Sequence, residues 1–593
     1  MTISNWRDPD TERAIVGDIS LDEPWKLLER FNTLVRLSGS EEEAQAVAYV
    51  AGRLDEWGVP YTVHHPTCLI SWPGPATLRT LGPNGRGFQV KTPSFSPATD
   101  GQEVTAELVY VPGTQASGIG DLLGGSRPIA AGDLTGKIVM TEGLGIAARG
   151  MDFANSGAIA AIFINPGERI HEGITTTAWG SPDLDSLGRV PQIPILATTR
   201  PDGEALKALL REGPVQVAFS NRVDTRWRQI PVTVAEIRGT RAPDEFILFH
   251  GHLDSWHVGI SDNATGDATL LEVARVFHQH RDKLQRSIRI AWWSGHSHGR
   301  YAGSTWYATA FATDLAANCV AHVNCDSPGC RFATEFREVA WTAEAAGLAQ
   351  SAIQDVSGQG SSGDRPLRAG DCSFNNLGIS TYFMGLSEMS EETRRAKGYY
   401  PVGGSGGNIE WHTEADTLEI ADRDVLLQDI RIYATALLRG LNAPVHPLDY
   451  RAAVHEIEEH LQGYQDAAGD AFDFGPSRDA ARDLASALDR FYAETERLSG
   501  RPADDPEVRR VNALQRMLAR SLVTVSYSRD GRFRQDPARG VPPLPDLAPA
   551  TELGQVPAGS DRYHVLRNHL TRGQNRLEWT LRQAANRVAG SVM

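Results

Sequence analysis

The sequence predicts an α/β protein with a mostly parallel mixed sheet that carries helices on both faces. Three features of its 593 residues support this fold class. From residue 228, short apolar runs alternate with amphipathic segments of helical period, a pattern typical of βαβ units. A second strand-rich unit interrupts this series. Beyond residue 441 the chain becomes helical and charged.

The predicted strands of the main sheet end close to polar loops. Three apolar runs precede candidate functional groups: 246–250 before His252, 288–293 before the segment 295–299, and 319–324 before Asp326. In open α/β sheets, binding sites form outside the carboxyl ends of the strands. We therefore expect these loops to meet at one edge of the sheet.

The order of the segments predicts three domains. Residues 1–103 and 226–440 form one split domain, residues 104–225 an inserted α/β domain, and residues 441–593 a helical domain. In the last predicted helix, 563–589, apolar side chains recur at spacings of 4 and 7 residues and form a stripe. We expect the helical domain to support a homodimer.

Composition excludes several classes of protein. Lys+Arg 58 against Asp+Glu 74 leaves a net charge of −16, which disfavours binding to nucleic acid or to anionic membranes. The sequence contains no run of 18 apolar residues, so no membrane span is predicted. The five cysteines form no CxxC pair, and the first residues do not resemble a signal peptide. These features predict a cytoplasmic protein with reduced thiols.

Histidines and carboxylates in the predicted strand-end loops indicate a metal site. His252 and Asp262 stand ten residues apart, at a predicted strand end and a predicted helix start. Asp326 and His412 lie in similar loops. His together with Asp is a donor set that suits zinc or a neighbouring transition metal. We expect Asp254 to orient the His252 imidazole through its second nitrogen.

These motifs resemble the co-catalytic zinc exopeptidases, and within them the glutamate carboxypeptidase and transferrin-receptor-like group. The resemblance rests on five short motifs and on the run Pro93-Ser-Phe-Ser-Pro97: His252-Leu-Asp254-Ser-Trp, Asp262-Asn-Ala-Thr-Gly266, Trp293-Ser-Gly295 with Gly303-Ser304, Asn324-Cys-Asp326, and His412-Thr-Glu-Ala-Asp416-Thr. It implies an exopeptidase domain, a protease-associated insert at 104–225 and a helical dimerisation domain.

The resemblance also implies two adjacent zinc ions and a small peptide or amide substrate. His252 and Asp326 would bind one ion, His412 the other, and Asp262 would bridge them. The ions would activate a water for attack on the amide carbonyl and polarise the carbonyl oxygen. The sequence does not distinguish zinc from iron, manganese or cobalt.

The chain departs from the family pattern after Trp-Ser-Gly. Two consecutive glutamates are expected there, a general base and then a metal ligand. This chain has His296, Ser297 and His298 instead. In a first interpretation, one of the two histidines replaces the ligand and the other replaces the base, since an imidazole near metal charge stays neutral and accepts a proton.

Three other interpretations remain open. The chain could hold one metal, with iron as a candidate, on His252, His412 and Asp326 and perform chemistry other than peptide hydrolysis. It could be a binding protein without activity, like the receptor branch of the group. It could also be a serine hydrolase, because residues 295–299 fit GxSxG and the order Ser297, Asp326, His412 matches that class.

Several further side chains are candidates for substrate contacts. Ser297 and His257 lie within or between the metal motifs. An arginine near the loops leading to His412 would bind a substrate carboxylate through a bidentate contact. The candidates for this contact are Arg368, Arg394 and Arg395.

Overall fold

The computed structural model describes residues 8–83, 85–113, 133–145, 147–337 and 339–591. Residues 114–132 of the predicted insert lie outside the described part. The strands are β1 Tyr61–His64, β2 Thr67–Thr80, β3 Gly87–Phe88, β4 Val90–Lys91, β5 Val104–Tyr110, β6 Ile138–Glu142, β7 Ala160–Ile164, β8 Ile195–Thr198, β9 Val215–Gln229, β10 Val232–Ile237, β11 Ala242–His252, β12 Arg286–Trp293, β13 Cys319–Asn324, β14 Ala333–Glu335, β15 Ser380–Thr381 and β16 Glu388–Met389.

The α-helices alternate with the strands of the main sheet and then follow one another in the last quarter of the chain. They are Pro9–Gly17, Asp22–Phe31, Glu41–Trp57, Ala147–Asn155, Arg200–Glu212, Thr265–Gln279, Ala302–Ala310, Ala312–Asn318, Ala346–Ser357, Glu391–Lys397, Arg423–Asn442, Tyr450–Ala468, Gly475–Thr495, Pro506–Tyr527, Ala550–Leu553 and Asp561–Ser591. In the part of the chain that the structure describes, no helix combines the length and the apolar character that a membrane crossing needs.

The central sheet has six strands in the order β1-β10-β12-β11-β13-β15. The strands β12, β11, β13 and β15 run parallel, and β1 and β10 add an antiparallel edge. This is the mixed, mostly parallel α/β sheet that the strand–helix alternation predicts. The parallel strands therefore deliver their carboxyl-terminal loops to one edge.

Strand β11 shows why the sheet is covered on both faces. Successive side chains of a strand point to opposite faces of the sheet. The alternating apolar residues of β11 are therefore buried only if both faces are covered. Ile247 and Phe249 join a core shared with the helices Thr265–Gln279 and Arg423–Asn442. Phe246 and Leu248 join a second core on the other face.

A second sheet has eight strands in the order β3-β2-β9-β5-β6-β7-β8-β4. The strands β5 to β8 run parallel, and the long strands β2 and β9 pair antiparallel over most of their length. This sheet draws strands from residues 67–91 as well as from the segment 104–225. It therefore extends across the predicted domain boundary at residue 103.

The last quarter of the chain is helical. The helix Gly475–Thr495 packs against the 31-residue helix Asp561–Ser591. The apolar stripe of this last helix lies in the core, because the stripe residues are at most 3% exposed: Leu566, Leu570, Leu577, Leu581 and Val588. The opposite side of the helix keeps Val565 and Trp579 exposed.

Candidate metal centre

The candidate ligands stand where the parallel strands end. His252 is the last residue of β11, His296 follows β12 by three residues, and Asp326 follows β13 by two. Because these three strands are parallel neighbours, their ends lie side by side. Asp262 and His412 approach from loops that flank the helix Thr265–Gln279 and precede the helix Arg423–Asn442.

Asp262 lies between two imidazoles. Its Oδ1 is 2.9 Å from His252 Nε2, and its Oδ2 is 3.0 Å from His412 Nε2. Asp326 Oδ1 is 3.8 Å from the same nitrogen of His252. Two ligands on one tetrahedral zinc ion, with bonds of about 2.0–2.1 Å, lie roughly 3.3 Å apart. These separations therefore match the spacing of ligands around shared cations.

Both imidazoles are oriented by main-chain carbonyls. The Nδ1 of His252 donates to the Asp254 carbonyl at 2.8 Å, and the Nδ1 of His412 donates to the Glu172 carbonyl at 2.9 Å. A ring whose proton is used at Nδ1 presents a lone pair at Nε2. Two such lone pairs repel the carboxylate that they face, and a cation between them would turn this repulsion into attraction. The donor chemistry therefore fits a metal centre.

The electrostatics of the buried side chains agree with this fit. Burial disfavours a charged ring, yet the neighbouring Asp262 and Asp326 carboxylates hold the pKa of His252 well above its usual value. Burial would likewise raise the pKa of Asp262, but the neighbouring His412 and His252 lower it well below the usual range. The site thus stabilises positive charge at the point where these side chains meet.

His296 joins this centre. Its ring stacks on the His252 ring, with centroids 3.7 Å apart and planes 14° apart. The ligand atoms of His252, His296 and Asp326 lie within 4.8 Å of one another, and no other such group of three was found among the described residues. The Nδ1 of His296 is 2.9 Å from Asp371 Oδ2, so its Nε2 is the atom left for a metal or a water.

His298, a candidate ligand or base, is not part of the group that His252, His296 and Asp326 form. Its Nδ1 is 3.1 Å from Ser38 Oγ, and its ring packs 4.2 Å from the Trp256 ring. Burial lowers the pKa of His298 despite the nearby Asp254 carboxylate. Residues 296 and 298 have different surroundings because the chain turns sharply after β12, and only the first of them faces the ends of β11 and β13.

Asp254 has a different role from the predicted one. Its main-chain carbonyl, not its carboxylate, orients His252. The carboxylate accepts from the amides of His296 and Ser297 at 3.1 and 2.9 Å and from Ser38 Oγ at 2.7 Å. Asp254 therefore fixes the loop that carries His296. Its pKa lies well below the usual range, since nearby histidines overcome the effect of burial.

The geometry does not assemble a serine triad. In the serine hydrolase interpretation, His412 would activate Ser297 and Asp326 would orient His412. Both ring nitrogens of His412 have other partners, the Glu172 carbonyl and the Asp262 carboxylate. The triad that the residue order predicts is therefore not formed in this arrangement.

The predicted substrate contacts are engaged within the protein. His257 Nε2 is 3.2 Å from Glu172 Oε1. Arg368 donates to the main-chain oxygens of Pro537 and Asp536 and lies over the Trp179 ring. The remaining two arginines lie on the helix Glu391–Lys397 and pair with Glu391: Arg394 at 3.8 Å, and Arg395 more closely.

Three important residues were not identified from the sequence. Asp371 holds His296, and its only signal is an acidic residue in the glycine-containing loop before β15. Glu172 comes from the segment between β7 and β8, far from any metal motif. Arg36 is fully buried and donates to three carbonyls of the loop after His252, those of Leu253, Val258 and Gly259.

Fold and site together define a class: an α/β protein whose imidazole and carboxylate ligands converge at the ends of parallel strands, as in metallohydrolases. The family comparison specifies this class further. Residues 233–436 match the model of Peptidase family M28, and this segment contains all five candidate ligands. The segment is therefore similar to the domain of family M28. The match confirms the predicted resemblance to zinc exopeptidases and the assignment as a metallohydrolase.

Curated relatives include both carboxypeptidases and an aminopeptidase. A probable glutamate carboxypeptidase VP8 from Zea mays is 23% identical over 497 residues, covering 72% of this chain and 67% of that protein. Carboxypeptidase Q from Xenopus laevis is 25% identical, covering 46% and 58%. Aminopeptidase NAALADL1 from Mus musculus is 24% identical, covering 52% and 45%. The matched regions thus span between 45% and 67% of these relatives.

Solved structures share the fold. The aminopeptidase from Aneurinibacillus sp. strain AM-1 superimposes with a TM-score of 0.52 at 21% identity, covering 74% of this chain and 96% of that chain. BSAP, a zinc aminopeptidase from Bacillus subtilis, gives a TM-score of 0.53 at 18% identity, covering 70% and 94%. At these identities the comparison shows a common α/β architecture.

Proposed function

We propose that the protein is a metal-dependent hydrolase that cleaves an amide or peptide bond of a small substrate, with His296 in place of the usual glutamate pair. The observation that carries this proposal is the convergence of three imidazoles and two carboxylates at one sheet edge. Zinc is the first candidate metal, since this donor set suits it.

The residues of such a site would have separate roles. A bound divalent cation would polarise the scissile carbonyl and increase the acidity of a water. Asp262 would hold the shared position between His252 and His412. Asp254 and Arg36 keep the loops around His252 and His296 fixed, so that little reorganisation is needed when substrate binds.

We propose two cation positions of unequal affinity. The first lies among His252, His296 and Asp326, with Asp262 at its edge. The second has only His412 and Asp262 Oδ2, because Ser297 stands where the family pattern has a carboxylate ligand. An ion with two protein ligands is held less tightly than one with four, so the second position should fill at a higher metal concentration.

The test is hydrolysis by purified full-length protein that has been stripped of metal and reloaded with zinc, manganese, cobalt or iron. The substrates are small peptides and amino-acid amides that carry free or blocked ends. We expect turnover that a chelator removes and metal restores, and that His252→Ala eliminates. Metal-independent turnover that Ser297→Ala eliminates would support the serine hydrolase instead. Tight metal binding without turnover of any substrate would support the binding protein.

We also propose that the protein is a cytoplasmic homodimer that associates through the helical region after residue 441. The exposed Val565 and Trp579 on the helix Asp561–Ser591 favour an apolar contact there. All five cysteines are free and buried, as expected for a reducing compartment. Light scattering of the wild type and of a Val565→Glu, Trp579→Glu variant would test the dimer.

A further inference from the structure

A chain of buried hydrogen bonds leads from the second-sheet region to His296. Trp179 Nε1 donates to Ser373 Oγ at 2.9 Å, and Ser373 Oγ is 3.0 Å from Ser304 Oγ. Ser304 Oγ donates to Asp371 Oδ1 at 2.5 Å, and Asp371 Oδ2 is 2.9 Å from His296 Nδ1. We call these five residues the Trp179 relay. All five side chains are buried.

The two ends of the relay fix the direction of every hydrogen bond in it. An indole nitrogen only donates, and a carboxylate only accepts. Because Ser304 gives its single proton to Asp371, it can only accept from Ser373. Because Asp371 accepts, His296 must donate from Nδ1. The relay therefore leaves a lone pair on His296 Nε2, the tautomer that binds a metal ion.

The ring of His296 is also fixed by its packing. Its face lies on His252, and the Tyr301 ring stands edge-on at a centroid distance of 4.7 Å. The Tyr301 ring packs in turn against the Trp179 ring, with centroids 4.3 Å apart and planes tilted by 40°. Both Trp179 contacts thus act on the same imidazole, one through hydrogen bonds and one through ring packing.

We propose that the Trp179 relay makes His296 a metal ligand, through Nε2, in the cation position that it shares with His252 and Asp326. Asp371 is then a positioning residue that acts only through His296. This inference rests on the proposed function in one respect, the binding of a metal at this centre. It does not depend on which bond the enzyme cleaves.

The test is a metal titration of the metal-free full-length protein. Cobalt binding is followed by its visible absorption, and zinc affinity is measured by competition with a chromophoric chelator. We expect His296→Ala to weaken the tighter site at least about 100-fold and to change the cobalt spectrum, since a nitrogen ligand is lost. Asp371→Asn should weaken it about 10- to 100-fold, the usual effect of losing the partner of a metal-bound histidine.

A double-mutant cycle separates positioning from a general structural effect. If Asp371 acts through His296, Asp371→Asn should change metal affinity by less than about twofold once His296 is already alanine. Independent, additive losses would contradict the proposal. So would His296→Ala protein that keeps full metal affinity but loses turnover, because His296 would then be a base and not a ligand.

The far end of the relay gives a milder test in case Asp371→Asn fails to fold. Trp179→Phe keeps a ring beside Tyr301 and removes the donor to Ser373, so we expect a loss of metal affinity of roughly threefold. Trp227→Phe is the matched control, because Trp227 is 55% exposed on β9. The melting temperature of each metal-free variant reports folding. Equal affinities for the two tryptophan variants would show that the relay does not reach the metal site.

Discussion

The two halves of the metal centre are built differently. The first half, His252, His296 and Asp326, comes from the ends of three adjacent strands of one sheet. The second half, His412 with Asp262 Oδ2, depends on a contact between sheets, because the Glu172 carbonyl orients His412. A half that is part of the central sheet is preorganised, whereas the other half is complete only while the second sheet stays in place. This difference predicts unequal metal affinities.

The largest expected effect comes from the residue that both halves share. Asp262→Ala removes the carboxylate whose two oxygens face His252 and His412. We expect bound metal to fall below one ion per chain and kcat/KM to fall by roughly 10³-fold or more, the scale of losing a central catalytic group. Elemental analysis and steady-state kinetics provide the measurement.

The control for this variant is Asp224→Ala on the second sheet, whose carboxylate is half exposed and pairs with Arg226 and Arg228. It should retain metal and activity. An Asp262→Ala protein that retained a full complement of metal would show that the two halves do not share a ligand.

A smaller and more selective effect is expected from His412→Ala. It removes the main ligand of the second half and leaves the first half untouched. In a titration, the weaker binding step should disappear while the tighter step keeps its affinity within about threefold. Turnover should fall by about 10- to 100-fold if the second cation assists the carbonyl. Simultaneous loss of both steps would mean that the halves form one cooperative site.

The sequence predicts the candidate ligands of the two halves better than their surroundings. Strand ends and helix starts make the candidate ligands recognisable. The structure places these residues close to one another: His252, Asp262, Asp326 and His412. The different surroundings of His296 and His298 are not visible in the sequence, since both residues are histidines and either could be a ligand. Glu172 and Trp179 have no local signal, and Asp371 has only its place in a glycine-containing loop, because the roles of all three arise from packing between distant segments.

Low pH should destabilise the contact between the segments around Glu172 and His412, which supports the second half of the centre. His171 lies beside Glu172, and its ring bridges the Trp411 carbonyl at 2.6 Å and the Tyr400 hydroxyl at 2.9 Å. Burial lowers the pKa of His171 to about 4, although the Trp411 carbonyl opposes this shift. An exposed histidine titrates near 6.5. When the contact opens, His171 becomes exposed and binds a proton between these two pH values, whereas the buried ring in the closed contact does not. The closed contact therefore loses stability as the pH falls below about 6.5.

The size of this loss follows from the pKa difference. At 1.36 kcal/mol per pH unit, a fall from pH 6.5 to 5 costs the closed contact about 2 kcal/mol. Hydrogen exchange of peptides that cover residues 167–175 and 408–416, corrected for the intrinsic rate at each pH, measures it. We expect opening to increase about 30-fold in the wild type between pH 7 and 5. In His171→Gln most of this increase should vanish, because glutamine does not titrate. The same pH dependence in both proteins would mean that another group controls the contact between the sheets.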